Sequence, residues 1–284
     1  MINFYIYIIL FLIGLIFGSF LNVVSLRFKP EKKVFDFKNL GGRSACPYCR
    51  KILRWHELIP IVSFFIQKGK CRSCQHQLFW QYPIVELLSG LIFVLVPYIL
   101  YPKSYILSII WILILLILLL ISLIDFRNFL IPDELIWILI FLGLILNIIN
   151  FQASNSFFFQ QSFLRHYALI FGWPSNIWLN HLLAAAAASA FFGLMFYFGK
   201  GKILGGGDVK LGFALGFILG WPDVLMSLMI AFWLGGITGL ALIINRKKTM
   251  KDFLPLAPFL AIGVALTVFF GYQIVNGYFF LIGL

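Results

Sequence analysis

The feature that most constrains this chain is a series of apolar runs, each close to the length of a membrane helix. A hydrocarbon core about 30 Å thick takes a helix of roughly 20 apolar residues. Hydrophobic residues make up 62% of the sequence and charged residues 11%, too few polar side chains for a water-soluble surface. We therefore predict an all-α polytopic membrane protein with about eight transmembrane helices. The runs are about Phe4–Val24, Pro83–Tyr101, Tyr105–Ile124, Glu134–Ile149, Ile177–Phe198, Lys210–Trp221, Val224–Ile244 and Pro255–Tyr272.

Basic residues fall in the polar gaps between these runs and give a net charge of +12. The longest gap, Arg27–Tyr82, holds twelve Lys and Arg against three acids. Because such loops stay in the cytoplasm, we predict a multi-pass protein with its N-terminus outside and this loop inside. The same rule explains the positive charge, so we expect the lipid bilayer as a partner and no nucleic acid.

The polar gap also divides the chain into three predicted parts. Residues 1–26 form the first membrane helix, residues 27–82 a small cytoplasmic domain, and residues 83–284 a membrane-embedded domain of about seven helices. Within the last part, the run Ala184–Ala188 predicts close helix packing, since small residues let backbones approach each other in lipid.

All four cysteines lie in the polar loop, as two CxxC pairs separated by 21 residues: Cys46, Cys49, Cys71 and Cys74. This spacing is typical of four-cysteine zinc sites. Disulfides are the alternative, but a cytoplasmic loop is reducing. Four thiolates leave no open coordination position for water, so we expect a structural zinc ion and not a catalytic one.

Two aspartates stand at the ends of apolar runs on the same predicted side of the membrane. Asp125 closes one run, and Asp208 follows Gly205, Gly206 and Gly207 and precedes Lys210. Ionisable residues at membrane depth are expensive and therefore suggest function. Two neighbouring carboxylates share a proton and act as base and acid in aspartic-protease chemistry. Without side chains, the glycines let a substrate backbone approach.

Other interpretations of these acids remain open at this point. Asp125 and Asp208 could cap helix ends, in which case the chain is a non-catalytic membrane scaffold. Paired acids also build proton or cation pathways, which would make it a transporter or channel. Asp133 follows Pro132 and is typical of a helix start, so it stays outside the predicted catalytic set.

With these residues in hand, the chain resembles the type IV prepilin peptidases, also called prepilin leader peptidases, over almost its whole length. The order and spacing of the shared segments carry the resemblance. The segments are Gly18–Val24, the two cysteine pairs, Trp55–Pro60, Gly69–Cys74, Tyr82–Leu88, Asp125 with Ile131–Asp133, Gly205–Lys210 and Pro255–Ala261.

The resemblance implies an eight-helix GxGD-type intramembrane aspartyl protease of the bacterial inner membrane, with Asp125 and Asp208 as its catalytic pair. Its substrates would be prepilins and the pilin-like pseudopilins of type IV pili and type II secretion. Members of the family also N-methylate the new N-terminal residue with S-adenosyl-L-methionine. For that second activity Glu86, Gly90 and Arg27 are candidate residues. Arg27 and Lys210 are also candidates for contact with substrate or, as the favoured alternative, with phosphate headgroups. The sequence leaves the oligomeric state open.

Overall fold

The computed structural model describes residues 4–36, 41–100, 104–153, 162–171, 176–201, 204–247, 249 and 252–283. Within these residues the chain is helical, and its β-structure is limited to isolated bridges. Seven of the described helices are long and apolar enough to cross a membrane. The predicted all-α polytopic class is therefore confirmed. The chain divides into two compact units, Met1–Ile124 and Asp125–Leu284, and the three predicted parts remain a prediction.

The first unit is built on two helices in contact, α1 (Phe4–Arg27) and α3 (Gln81–Leu100). The polar loop between them contains a 3-10 turn, Trp55–Glu57, and the short helix α2 (Val62–Ile66). Glycines let α1 and α3 approach closely: a Cβ on Gly14 or Gly18 would come within 2.7 Å of the α3 backbone. Small residues are the usual means of such packing in lipid.

Helix α4 (Tyr105–Asn128) begins in the first unit, and its last four residues belong to the second. The second unit continues with α5 (Asp133–Ala153), a 3-10 segment (Arg165–Phe171), α6 (Ile177–Phe198) and α7 (Gly206–Leu219). It ends with α8 (Asp223–Ile244) and α9 (Ala257–Ile282), which pack against each other. Each of the eight predicted runs thus lies largely within one helix.

Helix α7 is the short member of this set, with 14 residues. At 1.5 Å per residue it is about 21 Å long, less than the hydrocarbon core needs. It contacts α5, α6 and α8, and Leu211, Ala214 and Leu215 on it are fully buried. Protein therefore surrounds the helix that the sequence had marked as the shortest run.

Side chains from neighbouring helices satisfy the C-terminal end of α7. The Phe217 carbonyl accepts a hydrogen bond from the Asn147 amide at 3.0 Å and lies 3.0 Å from His181 Nδ1. Asn180 accepts from the Trp221 N–H and donates to the Trp221 carbonyl, both at 3.0 Å. Lipid offers no such partners, so these polar residues let a short helix end inside the protein.

The contact between α6 and α7 confirms the close packing predicted for the alanine run. A Cβ on Gly216 of α7 would lie 2.5 Å from the Ala184 carbonyl oxygen and 2.6 Å from the Ala185 Cα. Both neighbours are backbone atoms, which cannot move aside as a flexible side chain can.

Gly216→Ala is therefore expected to destabilise the protein, because overpacking a tight contact costs about 1–3 kcal/mol. The midpoint of thermal unfolding in detergent measures the effect. Gly236→Ala on α8 is the matched control, since no described atom outside the adjacent backbone of its own helix lies within 4 Å of the added methyl group. Helix propensity favours Ala over Gly, so the control should unfold at the same temperature or higher. Equal decreases in the two variants would contradict the packing described for α6 and α7.

Candidate active site and metal centre

Asp125 lies in the last turn of α4 and is buried, with 6% of its surface exposed. Its Oδ2 accepts a hydrogen bond from the backbone N–H of Ala257 at 3.1 Å. Ala257 is the first residue of α9, and the first N–H groups of a helix have no partner within the helix. The start of α9 therefore holds the Asp125 carboxylate in place.

Asp208 lies in the first turn of α7 and is half-buried. Its Oδ2 accepts a hydrogen bond from the Gly205 N–H at 3.0 Å. Gly205 and Gly206 are exposed, and Gly207 packs on Ile131, where a Cβ would meet that side chain at 3.0 Å. Asp208 thus lies at the start of a helix, beside the exposed backbone of Gly205 and Gly206.

Both aspartates line one open cavity of about 870 Å³ in the second unit. The segments before α5 and before α9 supply most of its apolar wall, and Gly205–Gly207 supply exposed backbone. The apolar side chains of the lining are Phe129, Leu130, Ile131, Leu204, Phe253, Leu254, Pro255 and Leu256. Asp133 and Asp252 also line it, so four carboxyl groups face this cavity. A cavity with apolar walls, exposed glycine backbone and carboxyl groups suits an extended peptide.

An ion pair joins α7, the helix that carries Asp208, to the start of α5. Lys210 Nζ lies 2.7 Å and 2.8 Å from the two carboxylate oxygens of Asp133. Lys210 is on α7, two residues after Asp208, and Asp133 begins α5. Both side chains are more than half exposed, so the pair adds little to stability. Its effect is to fix Lys210, the predicted substrate contact, to Asp133 in this structure.

The four predicted metal ligands come together in the polar loop. The Sγ atoms of Cys46, Cys49, Cys71 and Cys74 all lie within 4.8 Å of one another, and Cys46 and Cys74 are 3.9 Å apart. Metal–sulfur bonds of about 2.3 Å in a tetrahedron place the sulfur atoms about 3.8 Å apart. The cluster therefore fits a tetrahedral metal ion.

The two cysteine pairs are held by matching backbone hydrogen bonds. The Cys46 N–H donates to the Lys51 carbonyl and the Arg50 N–H to the Cys46 carbonyl. The second pair repeats this pattern 25 residues later, with Cys71 and the residues 75 and 76. Backbone N–H groups of Cys74 and Ser73 lower the pKa of the Cys71 thiol to about 7. That shift favours the thiolate, which is the form that binds metal.

Three further predicted residues lie in the first unit. Glu86 is buried on α3, accepts the Ile61 N–H at 2.7 Å and hydrogen-bonds Ser19. Gly90 lies against α1, where a Cβ would clash with Phe11 at 2.7 Å. Arg27 donates from Nη1 to the Gly41 carbonyl at 2.8 Å. These contacts give all three residues a packing role within the unit.

Sequence reasoning missed two parts of the site. The first is the Ala257 N–H that holds Asp125, which is a backbone group and therefore has no side-chain signal in the sequence. The prolines at 255 and 258 do signal a helix start there. The partner of Lys210 was also missed, because Asp133 had been assigned only to the start of a helix. The available signal was a pair of opposite charges, Lys210 close to Asp208 and Asp133 close to Asp125 in the sequence.

Comparison with known proteins covers nearly the whole chain. Residues 12–100 match the Bacterial Peptidase A24 N-terminal domain and residues 112–240 match the Type IV leader peptidase family. The prepilin leader peptidase/N-methyltransferase of Bacillus subtilis is 30% identical over 276 residues, covering 95% of this chain and 96% of that protein. The chain belongs to the type IV leader peptidase family. The predicted resemblance is thereby confirmed.

Two further proteins with the same name agree with this assignment. The protein of Pseudomonas aeruginosa is 30% identical over 290 residues, covering 94% of this chain and 91% of that protein. The protein of Aeromonas hydrophila is 29% identical over 292 residues, with coverage of 95% and 92%. No solved structure matches the chain.

The two matched segments contain the two candidate sites described above. The first matched segment contains the cysteine cluster, and the second contains Asp125 and Asp208. With seven long apolar helices, the chain is a multi-pass membrane protein.

Removal of the metal with a chelator, or Cys46→Ser, is expected to loosen the polar loop, because binding energy at a structural metal site is folding energy. Limited proteolysis of the purified full-length protein measures this as faster cleavage between Arg27 and Tyr82. Ser73→Ala, which changes an exposed side chain beside Cys74, is the control and should leave the rate unchanged. An unaltered cleavage rate in metal-free protein would contradict the structural role.

Proposed function

We propose that this protein cleaves the leader peptide from prepilins and pseudopilins by an aspartyl mechanism that uses Asp125 and Asp208. The observation that carries the proposal is that both carboxyl groups line one cavity with exposed glycine backbone. Membership of a peptidase family and relatives named prepilin leader peptidase/N-methyltransferase support it. Neither the transporter nor the scaffold alternative gains any support from these relatives.

The chemistry follows from two carboxyl groups at one site. Like charges held close together cannot both ionise cheaply, so the pair carries one proton at working pH. The ionised carboxylate takes a proton from a water molecule, and the resulting hydroxide attacks the peptide carbonyl carbon. The protonated carboxyl group donates to the carbonyl oxygen as charge develops there. When the C–N bond breaks, a proton passes to the departing amine, and the pair returns to its one-proton state.

The protein's own backbone prepares the pair for this reaction. One oxygen of each aspartate is held by a backbone N–H, from Ala257 or from Gly205. Such bonds limit rotation of the carboxyl groups and so keep them aligned for the attacking water. Gly205 and Gly206 leave space beside Asp208 in which a substrate backbone can lie. Lys210, which pairs with Asp133 of the cavity lining, is the proposed substrate contact.

The proposed setting is the bacterial inner membrane, with the N-terminus outside and the cysteine loop and the active-site cavity at the cytoplasmic face. The excess of basic residues in the loop supports this orientation. The proposed metal is zinc, because four thiolates in a tetrahedron are typical of structural zinc sites. Zinc would be held by Cys46, Cys49, Cys71 and Cys74 and would take no part in peptide cleavage.

N-methylation of the new N-terminal residue is the proposed second activity, supported by relatives that are named prepilin leader peptidase/N-methyltransferase. S-adenosyl-L-methionine would supply the methyl group. Glu86, Gly90 and Arg27 are its proposed residues, all in the first unit. Their packing contacts mean that substitutions there can also affect folding, so activity alone would not assign them.

Asp125→Asn and Asp208→Asn are each expected to abolish cleavage of a membrane-inserted prepilin, because an amide can serve neither as base nor as acid. Cleavage is measured by the mass of the product at matched protein levels. Glu31→Gln, which neutralises an exposed acid in the polar loop, is the charge-matched control and should cleave normally. Normal cleavage by either aspartate variant would rule out the aspartyl pair proposed here.

The two activities are expected to separate when the substrate is already cut. A pilin supplied with its mature N-terminus should gain a methyl group from wild type and from Asp125→Asn alike, because methyl transfer to an amine does not require the aspartyl pair. Mass spectrometry with and without S-adenosyl-L-methionine measures the gain. Loss of methylation in Asp125→Asn, in a correctly folded variant, would show that the two reactions share this residue.

A further inference from the structure

The polar loop exposes a group of large apolar side chains in one short stretch, Trp55–Ile66. We call this group the apolar surface of the loop, and it consists of Trp55, Leu58, Ile59, Val62, Phe65 and Ile66, which are between 39% and 78% exposed. Exposed apolar clusters of this density mark contact surfaces for protein or lipid.

The outward orientation of these residues is built into the local structure. Helix α2 turns Phe64 inward, where it is buried and packs on the Trp80 ring at 5.2 Å between centroids. Gly69 lies beneath the same phenylalanine ring. With Phe64 filling the inner contact, Val62, Phe65 and Ile66 remain on the outer side.

A hydrogen bond fixes this stretch to a membrane helix. The Ile61 N–H donates to Glu86 Oε2 at 2.7 Å. Ile61 has φ of +61° and ψ of −56°, the conformation of a classic γ-turn, which is rare and strained. The strained backbone directs this N–H to the buried carboxyl group of α3, so the position of the stretch is specific.

The depth of that contact places the apolar surface beside the membrane. Glu86 is five residues after Gln81, the first residue of α3, and five residues of helix rise about 7.5 Å. Helix α3 is one of the membrane-spanning candidates. Ile61 therefore contacts a residue that lies more than one turn inside this candidate span.

Charge complements the apolar character of the stretch. Lys51, Arg54, Lys68, Lys70 and Arg72 flank it and are exposed. The acid inside the stretch, Glu57, accepts the Arg54 backbone N–H at 2.8 Å. Even with the negative charge of a metal–thiolate centre, basic charge predominates here. Aromatic and aliphatic side chains among lysines and arginines are the composition of a surface that binds anionic lipid.

We propose that Trp55–Ile66 inserts into the interface of an anionic bilayer beside α3, so that the metal-binding loop is seated on the membrane and does not project freely into water. Its partner is the lipid bilayer with negatively charged headgroups. A second copy of this basic loop would be repelled, and so would any basic peptide.

Depth-dependent fluorescence quenching tests the proposal in the full-length protein reconstituted into vesicles of phosphatidylcholine and phosphatidylglycerol. One set of vesicles carries bromine near the carbonyl end of the acyl chain and another near its middle. The Trp55 signal is the difference between wild type and Trp55→Phe. Trp233→Phe gives the matched reference, because Trp233 is exposed near the middle of α8.

We expect the Trp55 signal to lose most of its intensity with shallow bromine and less with deep bromine, and the Trp233 signal to show the reverse. Quenching of Trp55 by aqueous acrylamide and not by bromolipid would overturn the proposal by placing the stretch in water. Protection from both quenchers would also overturn it, in favour of a protein partner.

A charge variant tests the lipid class separately. In wild type, shallow quenching of Trp55 should be stronger in vesicles with phosphatidylglycerol than in phosphatidylcholine alone. Lys68→Gln combined with Lys70→Gln should reduce this difference, since each basic residue near an anionic surface contributes to attraction. Equal quenching of wild type in both vesicle types would overturn the assignment to anionic lipid.

Discussion

The second unit depends on satisfying the backbone of one short helix, α7. Lipid cannot hydrogen-bond to an open helix end, and α7 has only 14 residues. Asn147 and His181 meet its C-terminal carbonyl at Phe217, so that end is closed by protein. Its N-terminal end opens on the cavity instead. The arrangement leaves the positive end of a buried helix facing the place where Asp208 and the substrate would carry negative charge.

The two aspartates are held in the same manner by different helices. Asp208 accepts the N–H of the residue just before α7, and Asp125 accepts the N–H of the first residue of α9. In both cases a helix start supplies an N–H group that the helix itself does not use. The local requirement to satisfy helix ends and the proposed requirement to orient two carboxyl groups are met by the same bonds.

The sequence predicted the helices and the clustering of the four cysteines, because both leave periodic or spaced patterns. Apolar runs and cysteine spacing are local signals, and the runs lie in helices while the cysteines cluster as expected. Sequence could also name Asp125 and Asp208, since acids beside apolar runs stand out. It could not show that Ala257 holds Asp125 or that Lys210 pairs with Asp133, because those contacts join residues that are 132 and 77 positions apart. Only the packing of helices brings them together.

A metal ion in the cysteine cluster would also restrain the chain between the two CxxC pairs. A metal ion bound by both CxxC pairs closes the 21 residues from Arg50 to Lys70 into a ring, and this ring contains Trp55–Ile66. Closing a flexible ring of that size removes conformational entropy worth about 3 kcal/mol in its length-dependent part. The free energy of metal binding would offset this entropic cost before the stretch contacts α3. A stretch with fixed ends samples far fewer positions than a free loop and reaches its contact with α3 more readily.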